Sequence, residues 1–323
     1  MIMAVRFLIC GIASLVFASI IAPVVLWFCK KIKASQSILH YVDKHASKEG
    51  TPTMGGLIFL LTLVFSSCFL LEYSTFLAWF LLAITFAYAL LGFLDDFIKV
   101  HYHHNEGLKP YQKIIGQVGI AVIIAVYVYL SGRTSLSFFS LKFDIGWGII
   151  PLVILVMVAT ANSVNLTDGL DGLAGGVSFV YILIFGVILS LTAMPEYQNM
   201  AIMCFGMCGG ILGFLTKNCF PAKIFMGDTG SLALGGFIGA VAVLSGLELL
   251  IPIMGIMFVL SALSDIIQVL HYKRTKKRVF LMAPLHHHFE QKGVHENRIV
   301  VVYIVITAAV CLCVLATILS VGI

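Results

Sequence analysis

The sequence predicts an all-α polytopic membrane protein of ten transmembrane helices, folded as a single domain over residues 1–323. Three observations carry this. Of the 323 residues, 60% are hydrophobic and only 11% are charged, and the mean hydropathy is +1.06; soluble domains carry about 25% charged residues. The apolar residues gather into blocks of roughly 20, the length that crosses a bilayer core as a helix. The charges fall between those blocks and crowd to one side. The length leaves no room for a separate soluble domain.

The apolar segments read as 3–29, 54–71, 76–98, 114–130, 148–164, 172–193, 200–217, 230–246, 250–270 and 298–321. The first is too long for the core of a signal peptide and lacks a small-residue cleavage site before Lys30-Lys31-Ile32-Lys33, so it reads as a retained helix. An even number of spans puts both termini on one side. Of the 20 Lys and Arg, all but Arg6, Arg133 and Lys142 lie at the ends of odd-numbered segments or in the loops after them. The positive-inside rule makes those loops cytoplasmic and both termini extracytoplasmic. All 10 histidines fall on the same side. In the outer loop 131–147, Leu136–Phe139 and Leu141–Asp144 predict a small periplasmic β-hairpin. The 8 cysteines show no metal-ligand spacing and read as small buried hydrophobes. A pI near 8.7 is no sign of a nucleic-acid partner in such a chain.

The informative stretches all sit at the cytoplasmic ends of segments. Asp95-Asp96 closes the third, with Lys99 one turn on. An Asp95–Lys99 pair at i,i+4 would explain one carboxylate and leave the other; ionisable residues at membrane depth mark function by default, here a divalent-cation or proton-handling site. Asn162-Ser163-Val164-Asn165-Leu166-Thr167-Asp168-Gly169-Leu170-Asp171-Gly172 links the fifth and sixth. Capping by Thr167 or Asp168 would use one polar residue, and the stretch has several; Gly beside a helix N-terminus suits an anionic or nucleotide ligand. Phe225-Met226-Gly227-Asp228-Thr229-Gly230-Ser231 precedes the eighth, where Asp228 or Thr229 would cap the helix or Asp228 would be a hard oxygen ligand for Mg²⁺. Asn218 and Phe225 lie nearby, the ring suited to stacking on a base. Asp265, within the ninth segment, reads equally as structural or cleft-lining. His286-His287-His288 suits phosphate or diphosphate better than zinc, since no cysteine ligand is near. Lys273–Arg278 reads as a topology determinant, whereas Lys48, Lys99 and Lys113 flank acidic or Gly-rich stretches and are placed to contact substrate.

Six Asp facing lipid would cost about 15–20 kcal/mol, more than the usual 5–15 kcal/mol of a fold (roughly). They are therefore expected to converge on a wet cytoplasmic cleft. Acids, Lys and His in such a cleft suit Mg²⁺-assisted chemistry on a phosphate ester, with a lipid substrate entering from the bilayer.

The stretches Thr51-Pro52-Thr53-Met54-Gly55-Gly56, Leu94-Asp95-Asp96-Phe97, Asn165–Ala174, Phe225–Ser231 and Met282-Ala283-Pro284-Leu285-His286-His287-His288-Phe289-Glu290 together resemble the phospho-N-acetylmuramoyl-pentapeptide transferase family, within the polyprenyl-phosphate N-acetylhexosamine-1-phosphate transferases. The acidic stretches mark the superfamily; the triple histidine is more specific. The resemblance implies transfer of phospho-N-acetylmuramoyl-pentapeptide from its UDP donor to undecaprenyl phosphate, giving lipid I and UMP. This is the first membrane step of peptidoglycan synthesis, on which cell shape and division depend. It also implies Mg²⁺ as cofactor, a homodimer, a broken ninth segment and a multi-pass location in the bacterial inner membrane with a cytoplasmic active site. By motif, Asp228 is the expected metal ligand and Asp95, Asp96, Asp228 and His287 the catalytic set. Asp168, Gly169, Leu170 and Asp171 are the expected uridine pocket, with Asn218 and Phe225 near the base; Lys48, Lys113 and His286–His288 are expected at the sugar diphosphate, and Asn165 and Lys99 among the other substrate contacts. The alternative within the superfamily is an N-acetylglucosamine-1-phosphate transferase, against which the triple histidine argues. An ion-coupled transporter would carry charge midway along its helices and often repeats; a prenyl transferase would leave the histidines idle.

Overall fold

The computed structural model describes residues 2–32, 50–71, 73–102, 107–139 and 141–321. Lys48, with His40, His45, His103 and His104, lies outside them. The helices are α1 (Ile2–Lys31), α2 (Leu57–Ser66, continued by a 3-10 turn Ser67–Phe69), α3 (Phe76–Tyr102), α4 (Pro110–Leu130), α5 (Ile149–Thr167), α6 (Leu173–Ser190), α7 (Pro195–Asn218), α8 (Gly227–Ser245), α9 (Ile251–Met254), α10 (Ile256–Thr275), α11 (Leu285–Gln291) and α12 (Glu296–Val321). Among the described residues, nine helices are long and apolar enough to cross a membrane, and the second expected segment is the shorter apolar helix Leu57–Phe69. The ninth segment is in two pieces, divided at Gly255.

The expected hairpin forms as β1 (Ser135–Phe138) and β2 (Leu141–Asp144), antiparallel, with Leu136 opposite Phe143. Its base is fixed by Arg133. That guanidinium donates to the Leu244 carbonyl at the end of α8 (2.7 Å) and to both Glu196 carboxylate oxygens at 3.0 Å.

Helices α7 and α8 form the centre. Every residue of α8 from Thr229 to Ser245 is buried. Apolar side chains gain no hydrophobic driving force against lipid, so helices in a membrane associate through close packing of small residues. The glycines of α8 supply it: a Cβ on Gly235 would lie 2.5 Å from Ala161 Cα of α5, and one on Gly236 would lie 2.6 Å from the Tyr88 ring of α3. Arg6 of α1 holds the end of the 3-10 turn after α2, donating to the carbonyls of Phe69 and Leu70 at 2.6 Å each. The cysteine expectation is corrected in part. Cys10, Cys29, Cys204, Cys208 and Cys311 are buried, whereas Cys68, Cys219 and Cys313 are exposed, because these three fall on outward helix faces or past a helix end.

Candidate active site

Helix α3 runs on to Tyr102, so Asp95 and Asp96 lie inside it rather than at its end. Both are buried, at 0% and 3% exposure, and adjacent helix positions point them in different directions. Their partners differ accordingly. Asp96 reaches the first turn of α8: it accepts hydrogen bonds from the Asp228 amide (3.1 Å), the Thr229 amide (2.9 Å) and the Thr229 hydroxyl (2.7 Å). Those amides are donors that a helix cannot satisfy within itself. Neither Asp228 nor Thr229 caps α8 with its own side chain; a carboxylate from α3 does so.

Two glycines permit this junction. Gly227 has φ +73, in the left-handed region open to glycine, and a Cβ there would fall 2.5 Å from Asp96 Oδ2. A Cβ on Gly92 would overlap the Asp228 carbonyl. The strand-like residues before α2 close the other side: Phe225 donates to the Pro52 carbonyl and Gly55 to the Phe225 carbonyl, each at 2.8 Å. This explains Thr51–Gly56 and Phe225–Ser231 as two parts of one structure.

Asp95 points instead to the lysines. Lys99 Nζ lies 2.6 Å from Asp95 and 3.1 Å from Asp228. Lys113, from α4, lies 3.0 Å from Asp95 and 2.5 Å from Asp228. The Leu108 amide also donates to Asp95, at 2.7 Å. The other Asp228 oxygen accepts from the Asn165 amide at 2.8 Å, and that amide also donates to Ser231 at 2.8 Å. The expected i,i+4 pair is present, then, as one edge of a four-membered junction.

The oxygens of Asp95, Asp96 and Asp228 lie within 4.8 Å of one another. Three carboxylates face two ammonium groups, all donors are hard oxygens, and buried Asp95 Oδ2 has Lys99 Nζ beside it at 2.6 Å. That donor set fits a divalent cation. With Asp96 occupied by α8, Asp228 and Asp95 are the residues available to hold one.

The turn after α5 brings in the second group. Thr167 and Asp168 do not cap α6. Thr167 closes α5, bonding back to the Ser163 carbonyl at 2.8 Å, and α6 starts from Gly172 at φ +79 without a side-chain cap. The Asp171 carboxylate accepts from the Ala222 amide (2.9 Å), and the Asp171 amide donates to Glu296 (2.5 Å). The Asn218 side chain accepts from the Gly172 amide (3.0 Å) and donates to the Ile224 carbonyl (2.9 Å). Asp171 and Asn218 thus hold the turn's shape. Asp168 is half-buried; its burial, with Asp228, Asp96 and Asp171 near, pushes its carboxyl well above the usual carboxylate range.

The triple histidine forms the short helix α11, which the sequence reading did not foresee. A Cβ on Gly169 would overlap His286 Nε2 and come within 2.9 Å of His287 Nε2. Gly169 is therefore placed where α11 docks on the turn. His286 is fully buried and neither ring nitrogen has a partner among the described residues. Burial, aided by His287, lowers its pKa to about 3. His287 pairs with Glu290 at 2.9 Å, and His288 accepts from the Leu281 amide at 3.1 Å. Residues 78–246 match the family model for glycosyl transferase family 4, and residues 48–60 match the signature of phospho-N-acetylmuramoyl-pentapeptide-transferases.

The chain is 44% identical over 299 residues to the phospho-N-acetylmuramoyl-pentapeptide-transferase of Halalkalibacterium halodurans, covering 90% of this chain and 91% of that one. It belongs to the phospho-N-acetylmuramoyl-pentapeptide-transferase family. Proteins of that name from Acetivibrio thermocellus (42% identical, 93% and 92% covered) and Bacillus subtilis (43%, 88% and 89%) are similarly related. The family-model match ends at 246 and so covers Asp95, Asp96, Asn165, Asp168 and Asp228; the histidines lie beyond it. Of the site residues the sequence missed, Ser231 stands inside a quoted stretch without a role, and Thr229 reads there only as a helix cap. Glu296 carried only the weak signal of an acid at a helix start.

Proposed function

We propose that this protein transfers phospho-N-acetylmuramoyl-pentapeptide from its uridine diphosphate donor to undecaprenyl phosphate, producing lipid I and UMP. The junction of Asp95 and Asp228 bridged by Lys99 and Lys113 supports this reading most directly. The sugar-side phosphorus of the donor gains a bond to an oxygen of the lipid phosphate and loses its bond to the uridylate oxygen. Negative charge builds on the departing uridylate oxygen as the attacking oxygen gives its charge up. Lys99 and Lys113 stand where they neutralise it; groups aimed at developing charge in this way are worth roughly 10²–10³ in rate. Asp95 orients the lipid phosphate and takes its proton, because Asp96 is spent on the first turn of α8. Asn165 fixes the Asp228 carboxylate.

Magnesium, when bound, supplies further charge neutralisation on the diphosphate, with Asp228 as its ligand and Asp95 beside it. The turn Asp168–Leu170 and the Phe225 ring take the uridine, and Asp171 and Asn218 hold that turn. The triple histidine takes the sugar diphosphate, with His286 buried against Gly169 behind His287 and His288, and Lys48 belongs to the same side. A cytoplasmic site, extracytoplasmic termini, a tenth span through Leu57–Phe69 and a homodimer in the bacterial inner membrane complete the proposal.

The test is lipid I formation by the purified protein from radiolabelled UDP-N-acetylmuramoyl-pentapeptide and undecaprenyl phosphate, with Mg²⁺ or with chelator. Label in the lipid fraction only with Mg²⁺ is expected. Equal transfer from UDP-N-acetylglucosamine, or none from the pentapeptide donor, overturns the reading.

A further inference from the structure

Lys113 reaches Asp95 and Asp228 from the first turn of α4, and that end of the helix is not anchored by burial. No residue from Pro110 to Gly116 is buried. The first buried residue of α4 is Gln117, one turn beyond Lys113; the others, Ala121, Ile124, Ala125 and Val128, are apolar. Gln117 is fully enclosed, at 0% exposure. A buried amide is costly unless its polar ends are paired, and here they are. Asn162 of α5 donates to Gln117 Oε1 at 2.6 Å, and Gln117 Nε2 donates back to Asn162 Oδ1 at 3.4 Å. The Asn162 nitrogen also donates to the Val158 carbonyl, one turn back on α5, at 2.8 Å. That bond fixes which end of the Asn162 amide carries the nitrogen, and with it the sense of the pair.

Two further helices join the same layer. The Tyr88 hydroxyl of α3 donates to the Gln117 carbonyl at 3.2 Å, and the Tyr88 ring packs on Gly236 of α8. Each helix that brings a group to the acidic junction thus brings another to this layer. Helix α3 carries Asp95 and Tyr88, α4 carries Lys113 and Gln117, α5 carries Asn165 and Asn162, and α8 carries Asp228 and Gly236. Apolar faces gain no hydrophobic driving force against each other in lipid, so they hold the height of one helix against its neighbour weakly. A reciprocal amide pair holds it well, because a slip along the axis leaves both amides unpaired. A single buried Asn fixes register in coiled coils for the same reason.

We propose that Gln117 and Asn162 are positioning residues for the transfer: their amide pair sets the height of α4 against α5, so that Lys113 meets the Asp228 carboxylate that Asn165 holds. The proposal rests on the reaction assigned above and adds a layer behind the reacting groups. Misplacement of a group by about 1 Å costs up to about 10²-fold in rate.

The experiment is steady-state kinetics of lipid I formation by purified full-length variants, arranged as a double-mutant cycle with Lys113. Gln117→Leu is similar in volume and removes the pair; it is expected to lower kcat about tenfold to 10²-fold. Lys113→Gln is expected to lower kcat on its own. Because Gln117 acts through Lys113, adding Gln117→Leu to Lys113→Gln is expected to cost nothing more. Gln117→Asn combined with Asn162→Gln keeps the summed length of the pair and is expected to recover most of the rate that Gln117→Asn alone loses. Should Gln117→Leu fail to fold, this exchange decides the question. Wild-type kcat in Gln117→Leu overturns the proposal. So does a full further loss in the Lys113→Gln background, which would make Gln117 a packing residue only, and so does an exchange no faster than Gln117→Asn. The reaction itself is tested by wild type alone: a wild type that makes lipid I, with losses that add in the cycle, keeps the reaction and loses the positioning role.

Discussion

Asp95 and Asp96 are neighbours in sequence and differ in what they do. Asp96 satisfies three donors at the start of α8, so it holds Asp228 in place through the backbone; Asp95 and Asp228 share two lysines. The pair therefore separates by measurement. Asp228→Ala is expected to cut lipid I formation at least about 10²-fold while the melting temperature in detergent stays close to wild type. Asp96→Asn is expected to lower both, since an amide presents one oxygen where a carboxylate presents two; the loss is about 1–3 kcal/mol of stability. An unchanged melting temperature in Asp96→Asn would remove its capping role. His286 makes a pH prediction. Its ring is held neutral in the fold, with a pKa lowered from 6.5 to about 3, so below 6.5 the unfolded chain binds a proton that the folded chain does not. Stability is full above that value and falls as pH drops from 6.5 toward 3. His286→Gln is expected to flatten this limb of a melting-temperature profile; the same slope in the variant would show that other groups set it.

Helix α8 is the element on which the site depends, and its glycines are the reason it sits between α3 and α5. Gly236→Val places a branched side chain against the Tyr88 ring. Overpacking of this kind costs about 1–3 kcal/mol, and displacement of α8 carries Asp228 with it. The expected outcome is a lower melting temperature together with lost turnover; a variant of normal stability and activity would show that α3 and α8 slide apart freely. Most of the helices were legible because a 20-residue apolar block in a membrane chain has few alternatives. Asp95, Asp168, Asp228 and the histidines stood out because each breaks an apolar pattern. What was not legible needed a second element. Nothing in Phe225–Ser231 says that Asp96 caps it. No local signal in Leu285–Gln291 says that a short helix will lay His286 on Gly169. Asn218 reads as a ligand until Gly172 and Ile224 are seen to take its amide. The Gly92–Asp228 contact is a pairing across more than a hundred residues, which no local periodicity encodes.

For the whole molecule, the charge asymmetry predicts an orientation that labelling can read. With the exposed Cys68, Cys219 and Cys313 replaced by Ser, a single cysteine at Lys142 in β2 is expected to react with an impermeant maleimide on intact cells. One at Lys276 is expected to react only after permeabilisation; the reverse pattern would invert the topology. A mass measurement in nanodiscs tests the proposed dimer, and a monomer that is fully active would dismiss it as a requirement. The hydrogen bonds from α8 to Asp96 also bear on how any preparation is judged. The contact that joins two helices distant in sequence is the same contact that sets Asp228 opposite Asp95. A molecule whose helices have inserted without pairing has no partly formed site to fall back on. Specific activity then becomes a count of correctly assembled molecules, so a detergent that halves it is expected to have halved the assembled population while each survivor works at its full rate.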